Sequence, residues 1–145
     1  MNWIVLAVLS ALLYGGYHFF IKLASSHINQ VLAAVILQAS ALVVGIVLLA
    51  FLKYRGETIA FSSTGARLAI LGGLSVGIGE ILAFYVFSRG IPVSHGAPII
   101  IGGTVAATAL YGMSFLRESL APVQWLGFSL IILGIVILTS FERAG

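Results

Sequence analysis

The sequence contains no cysteine. That excludes a disulfide framework, a thiolate metal site and a cysteine nucleophile. Charge is nearly as scarce: 8% of the 145 residues are Asp, Glu, Lys or Arg, against about 25% in a soluble domain. So few charges cannot solvate a globular surface, and the longest polar stretch, Lys53 to Arg67, is only a loop. Four acids stand against seven bases, a formal net charge of +3. These charges lie almost wholly at the ends of apolar runs, the level of lipid headgroups. That placement suits membrane lipid as a partner and argues against nucleic acid. The N-terminal Met1-Asn2-Trp3 has no basic region, and no small-residue cleavage site follows it. It therefore reads as the start of a first span rather than of a removable signal.

What the chain has instead is hydrocarbon. It is 61% hydrophobic, and a helix needs about 20 apolar residues to cross a bilayer. Five stretches meet that length: Trp3 to Ala24, Gln30 to Leu52, Leu68 to Ser88, Ile91 to Leu116 and Pro122 to Phe141. The expected fold is an all-α integral membrane protein with five transmembrane helices, residues 1–145 forming one domain. An odd number of spans puts the termini on opposite sides. With the N-terminus on one side, Lys53, Arg55, Arg67 and Arg117 fall on that side, and Lys22, Arg89 and Arg143 on the other. Lys and Arg bias orients membrane proteins. Here it is nearly balanced, so the chain is expected to insert with weak preference or in both orientations.

Within these runs one residue is out of place. Glu80 lies near the middle of the third span, and an intramembrane acid marks a binding or proton site by default. Gly73, Gly77, Glu80, Phe84 and Phe87 lie close to one helical face. The Gly73 and Gly77 pair is spaced for close helix approach, and the rings of Phe84 and Phe87 could line a cavity. The alternative is a permanently neutral acid bonded to a neighbouring helix. In the second span Gln38 shares a stripe with Ala34, Ala41 and Gly45; it is either interhelical glue or a substrate contact. In the first span Tyr14 and His18 share a face with Ala7, Ala11 and Lys22. They are either packing and interfacial anchors or inward-facing polar groups, and Lys22 is near enough to the end to snorkel. The fourth span opens with Ile91-Pro92-Val93-Ser94-His95-Gly96-Ala97-Pro98. Pro98 removes a backbone donor about one turn in, so an irregular or kinked helix is expected there, with Ser94 and His95 in the break. In the fifth span, Gly127 and Gly134 share a face that suits a packing or dimer surface. His18, His95 and Glu80 are the only metal candidates and lack ligand spacing. No metal or cofactor is expected.

The stretch Leu116-Arg117-Glu118-Ser119-Leu120, followed by Gln124-Trp125-Leu126-Gly127 and Leu130-Ile131-Ile132-Leu133-Gly134, resembles the closing motif of the EamA domain of the drug/metabolite transporter superfamily. The turn from Gly90 into a helix at Pro98-Ile99 is also similar. The resemblance covers essentially the whole chain as one five-helix unit, an EamA-like half-transporter bundle. Most such relatives fuse two units into ten helices. The resemblance therefore implies a partner, either a second copy (a homodimer, possibly antiparallel) or a paired membrane subunit. One departure is Arg117, where relatives usually carry Gly; it bears on local loop geometry. Glu118 fits the family's loop acid and is expected to cap the fifth helix electrostatically. In the small multidrug resistance branch the essential acid lies in the first helix. This chain has none there, so that proton-exchange mechanism does not carry over.

Two functions follow as expectations. One is a secondary transporter of a small organic metabolite or cation, with Glu80 binding a proton or the substrate and Tyr14, His18, Gln38, Phe84, Ser94 and His95 around the small-molecule site. The other is a non-transporting subunit or scaffold packed against a larger membrane complex. An enzyme is not expected, because no nucleophile–base pair or phosphate loop is present. The expected location is a bacterial inner membrane, crossed several times.

Overall fold

The computed structural model describes residues 2–140. The described residues form five helices: α1 (Trp3–Ala24), α2 (Gln30–Tyr54), α3 (Ser63–Ser88), α4 (Val93–Phe115) and α5 (Pro122–Ser140). All five are long and apolar enough to cross a membrane. The protein is all-helical with five membrane-spanning segments, and among the described residues no strand occurs. Phe141, the expected end of the fifth span, and Arg143 lie outside the described residues.

Polar side chains set the helix starts. Asn29 accepts from the N–H groups of Val31 and Leu32 at 3.0 and 3.2 Å, and Ser62 accepts from Gly65 at 3.3 Å. Each satisfies donors that the first helical turn leaves open. The Ser62 cap starts α3 at Ser63, five residues before the apolar run at Leu68. Capping set that boundary and hydropathy did not. Three helices end at a residue with positive φ: Gly56 at 76°, Gly90 at 90° and Arg117 at 57°. Glycine takes this left-handed conformation freely, while a side chain is crowded in it. Arg117 is the position where the family resemblance leads one to expect glycine, and its backbone adopts the conformation that glycine favours.

Two expectations at the α4–α5 end are corrected. The helix is not broken between Pro92 and Pro98. Pro92 is the N-cap, and α4 runs continuously from Val93 with Pro98 inside it. Pro98 sits only six positions into the helix, so it removes a single hydrogen bond, the one to the Ser94 carbonyl, at an end where few have yet formed. Nor does Glu118 cap α5. Its carboxylate lies beside Gly112 of α4, and its N–H donates to the Gly112 carbonyl at 3.1 Å. The α5 start is satisfied by Gln124, whose Oε1 accepts the Ala121 N–H at 2.7 Å; this is the reach-back half of a capping box.

The chain divides into two compact units. One comprises Phe20–Gly90, and the other the described parts of Met1–Phe19 and Ile91–Gly145. In the first, α2 packs on α3. Its buried apolar positions are Ile21 at the end of α1, Ala33 and Ala34 of α2, and Ala83, Phe84 and Phe87 of α3. Lys22 donates from Nζ to the Phe87 carbonyl at 3.1 Å. The side chain expected to snorkel thus holds the end of α3, where a cation also meets the negative end of the helix dipole. In the other unit, α4 packs on α5. Gly102 is buried, and a Cβ there would lie 2.8 Å from Ile135 Cγ1, so the absence of a side chain lets α5 approach. No residue of α5 is buried. A groove of about 560 Å³ runs along α4 and α5, lined by Ala97, Ile101, Gly102, Ile131, Gly134 and Ile135 among others.

Candidate functional site

Hydrocarbon offers no water, so a polar side chain in a span must find a partner or bear the cost of desolvation. Most hydroxyls here solve this locally. Ser40, Ser75, Thr104, Thr108, Ser129 and Ser140 each donate to the carbonyl four residues back, at 2.7 to 3.0 Å. Two side chains in the Phe20–Gly90 unit do not. Glu80 Oε2 is shielded from solvent and has no hydrogen-bond partner among the described residues. Gln38 of α2 is half-buried, and its amide lies against the bare backbone of α3. A Cβ at Gly77 would be 3.4 Å from Gln38 Oε1 and 3.8 Å from Nε2.

Gly77 is three residues from Glu80, so the two are neighbours on the helix surface, about 5–6 Å apart at their Cβ positions. The packing of α2 on α3 thus sets the Gln38 amide against Gly77, three residues before Glu80. Phe84 is a further turn along α3, nearly inaccessible, as is Phe87. Phe84 borders a groove of about 310 Å³ with Ile21, Ala33, Ile36 and Leu37. Both rings are part of the packed interior of this unit. Among the described residues the close helix approach expected at the Gly73 and Gly77 pair is not present: nothing lies within 4 Å of a Cβ at Gly73, and Gly77 faces a side chain. The charged neighbours of this region stand at helix ends. No Lys or Arg occurs between Val31 and Leu52 or between Leu68 and Ser88.

The other expected site residues fall in the other unit. His18 is buried. Its Nδ1 donates to the Tyr14 carbonyl at 2.8 Å, which fixes the ring against its own helix. The Tyr17 ring meets His18 edge to face at 4.7 Å, and Tyr14 meets Tyr17 at 6.0 Å. Tyr14 is exposed, at 62%. Ser94 is exposed and borders the α4–α5 groove, and His95 is half-buried. Of the expected set, the structure therefore groups Gln38, Glu80 and Phe84 in one unit and Tyr14, His18, Ser94 and His95 in the other. Among the described residues no group of three His, Cys, Asp or Glu side chains could hold a metal ion. The role of Gly77 had no signal beyond its spacing to Gly73; only the position of Gln38 on the facing helix reveals it.

Similarity to known proteins agrees with this architecture. An uncharacterized protein of Methanocaldococcus jannaschii is 30% identical over 141 residues, which make up 94% of this chain and 95% of that one. It is thus matched over a single unit of the same size. The uncharacterized transporter YwfM of Bacillus subtilis is 31% identical over 77 residues, 49% of this chain but 26% of its own length. No solved structure matches the chain. The model of the EamA-like transporter family matches residues 1–140, all five helices included, and the chain belongs to that family.

Proposed function

We propose that the chain is one half of a secondary transporter for a small organic solute, with Glu80 as the membrane-embedded acid that binds a proton or a cationic group. The observation that carries this reading is the shielded and unpartnered Glu80 Oε2 inside the apolar run of a membrane-length helix, about two thirds of the way along α3. A structural acid in hydrocarbon is expected to be bonded to a neighbouring helix, because leaving it unpaired is costly. An acid that must receive and release a ligand is left without such a partner. Membership of a transporter family supports the same reading.

The second half is a second copy of the chain. Two units related by inverted topology enclose a central site in many transporters, and alternating access follows from rocking of one against the other. A closed two-fold pair is also the commonest oligomer. Supporting this, α5 has no buried residue, and among the described residues Gly127 and Gly134 have nothing within 4 Å of a Cβ. The same open face also favours a second reading, a non-transporting subunit that packs against a larger membrane protein. The Bacillus subtilis relative supports a bacterial cell membrane as the location.

The test is flux in proteoliposomes. The purified full chain is reconstituted, loaded with a mixture of cationic, neutral and anionic solutes, and the solutes that cross are identified by mass spectrometry. At least one solute is expected to move with the natural chain and to stop moving in Glu80→Gln, while reconstitution and helix content are unchanged. If no solute moves, or if Glu80→Gln moves it at the natural rate, the transporter reading with Glu80 as its acid is wrong.

A further inference from the structure

We infer that α1 is jointed at Gly15–Gly16, and that His18 keeps the Tyr14 carbonyl hydrogen-bonded when the helix bends there. The joint separates a free arm, Trp3 to Tyr14, from a packed half that begins at Tyr17. In a transporter this arm is the part of α1 that moves between the two accessible states. That functional consequence rests on the transporter reading; the joint itself does not.

Burial along α1 changes at the glycine pair. Every residue from Trp3 to Gly15 is exposed, Gly16 and Tyr17 are half-buried, and His18, Ile21 and Ser25 are buried. Lys22 adds its hydrogen bond to the Phe87 carbonyl. One half of the helix is thus held by neighbours and the other is not. The closely packed helix pairs are α2 with α3 and α4 with α5, and α1 belongs to neither.

Glycine is the poorest helix former after proline, because its backbone is the least restrained. Where a glycine lets another helix come close, packing offsets that weakness, as at Gly102 against Ile135. Gly15 and Gly16 make no such contact: among the described residues nothing lies within 4 Å of a Cβ at either. Two successive weak links with no packing role leave freedom to bend as what the pair supplies. Sharp bends in helices fall at proline, at Gly or Ser pairs, or where a side chain enters the hydrogen-bond ladder. Here a glycine pair and an entering side chain coincide.

Bending in hydrocarbon has one obstacle. The helix bond that spans the pair runs from the His18 N–H to the Tyr14 carbonyl, and opening it strands a carbonyl where no water can replace the donor. The His18 ring removes that obstacle. Its Nδ1 donates to the same Tyr14 oxygen at 2.8 Å, and a carbonyl has two lone pairs to accept both donors. When the backbone bond lengthens, the imidazole stays as the partner. Tyr17 meets the ring edge to face at 4.7 Å and steadies it. Gly72–Gly73 of α3 is equally open, and Ser75 bonds back across it to the Leu71 carbonyl. A serine oxygen is one bond from Cβ and moves with the backbone. The imidazole nitrogen is two bonds out and turns about a second torsion, so only the α1 pair has a donor able to follow its carbonyl.

The experiment uses the full chain in liposomes, spin-labelled at Leu6→Cys on the arm and Val44→Cys on α2, both exposed positions. No natural cysteine competes for the label, and dilution with unlabelled chain restricts the signal to distances within one molecule. Leu6 stands about 14 Å along the helix from Gly15, so a modest bend moves its label by several ångströms. Distance distributions are compared for the natural glycine pair, Gly15→Ala/Gly16→Ala, His18→Phe and His18→Asn. The natural pair is expected to give two populations, straight and bent, and the alanine pair a single narrow one. His18→Phe keeps a ring but loses the donor, and is expected to lower the bent share about tenfold or more. His18→Asn carries an Nδ2 donor two bonds from Cβ and is expected to restore much of it. If His18→Phe does not fold, the alanine pair decides, since its methyls enter open space. One narrow population in the natural pair, or two in the alanine pair, overturns the inference, as does a bent share untouched in folded His18→Phe. Solute flux through the alanine pair is expected to fall severalfold with solute affinity unchanged; flux at the natural rate overturns the role of the arm. A chain that bends as expected yet moves no solute overturns the transporter reading and leaves the joint standing.

Discussion

Gly102 and Gly103 are adjacent in α4 and face different surroundings. A Cβ at Gly102 would press on Ile135 and approach Ile131 of α5, whereas nothing lies within 4 Å of a Cβ at Gly103. In hydrocarbon, helix association depends on close packing rather than on expulsion of water, so the two should respond oppositely to the same methyl. Gly102→Ala forces α5 away and is expected to destabilise by about 1–3 kcal/mol. Gly103→Ala fills open space and gains helix propensity, with an expected stabilisation of about 0.5–1 kcal/mol. Thermal unfolding of both variants in one detergent would check the pair: Gly102→Ala should melt below the natural chain and Gly103→Ala at or above it. At this scale the sequence marked Glu80 and Gln38 as polar residues in apolar runs, because a carboxyl or amide there is anomalous wherever the helix faces. It did not distinguish Gly102 from Gly103, or Gly77 from Gly73. Which glycine meets a neighbour depends on how two helices cross, and that is absent from the spacing along one of them.

Five helices were legible because each crossing demands a run of apolar residues of nearly fixed length. Their ends were less so. The start of α3 moved from Leu68 to Ser63 because Ser62 supplies a cap ahead of the apolar run. The break expected before Pro98 is a continuous helix, since proline within the first two turns removes one hydrogen bond and disturbs little else. Arg117 shows the limit in the other direction. The resemblance to EamA domains singled it out as a departure from glycine, and the backbone there is left-handed. A familiar position, read through the physics of φ, yields a conformation that composition alone could not. Lys22, an interfacial anchor for α1 by its place in the sequence, also clasps the end of α3 through its hydrogen bond to the Phe87 carbonyl, at the far end of the face that carries Glu80, Phe84 and Phe87.

For the whole molecule the open question of assembly is one of charge balance. If the five spans alternate in direction, the sequence assigns four Lys and Arg residues to the N-terminal side and three to the other, too small a difference to direct insertion strongly. The chain is therefore expected to insert with weak preference or both ways, and insertion both ways would let two copies of opposite orientation form the inverted pair. Reporter fusions at the C-terminus, one active only inside and one only outside, should both give signal in a functional fusion. Signal from one side only would contradict dual insertion and favour a different protein as the second half. The central claim, that Glu80 is a working acid reached during transport, has a more direct test. Dicyclohexylcarbodiimide attacks membrane-embedded carboxyl groups that can take a proton. With the full chain in liposomes, peptide mass mapping is expected to find the adduct at Glu80 and not at the exposed Glu57 or Glu118. Solute flux should fall in step with the fraction modified. A Glu80 that stays unmodified while flux is unimpaired, or one fully modified with flux intact, would contradict the account.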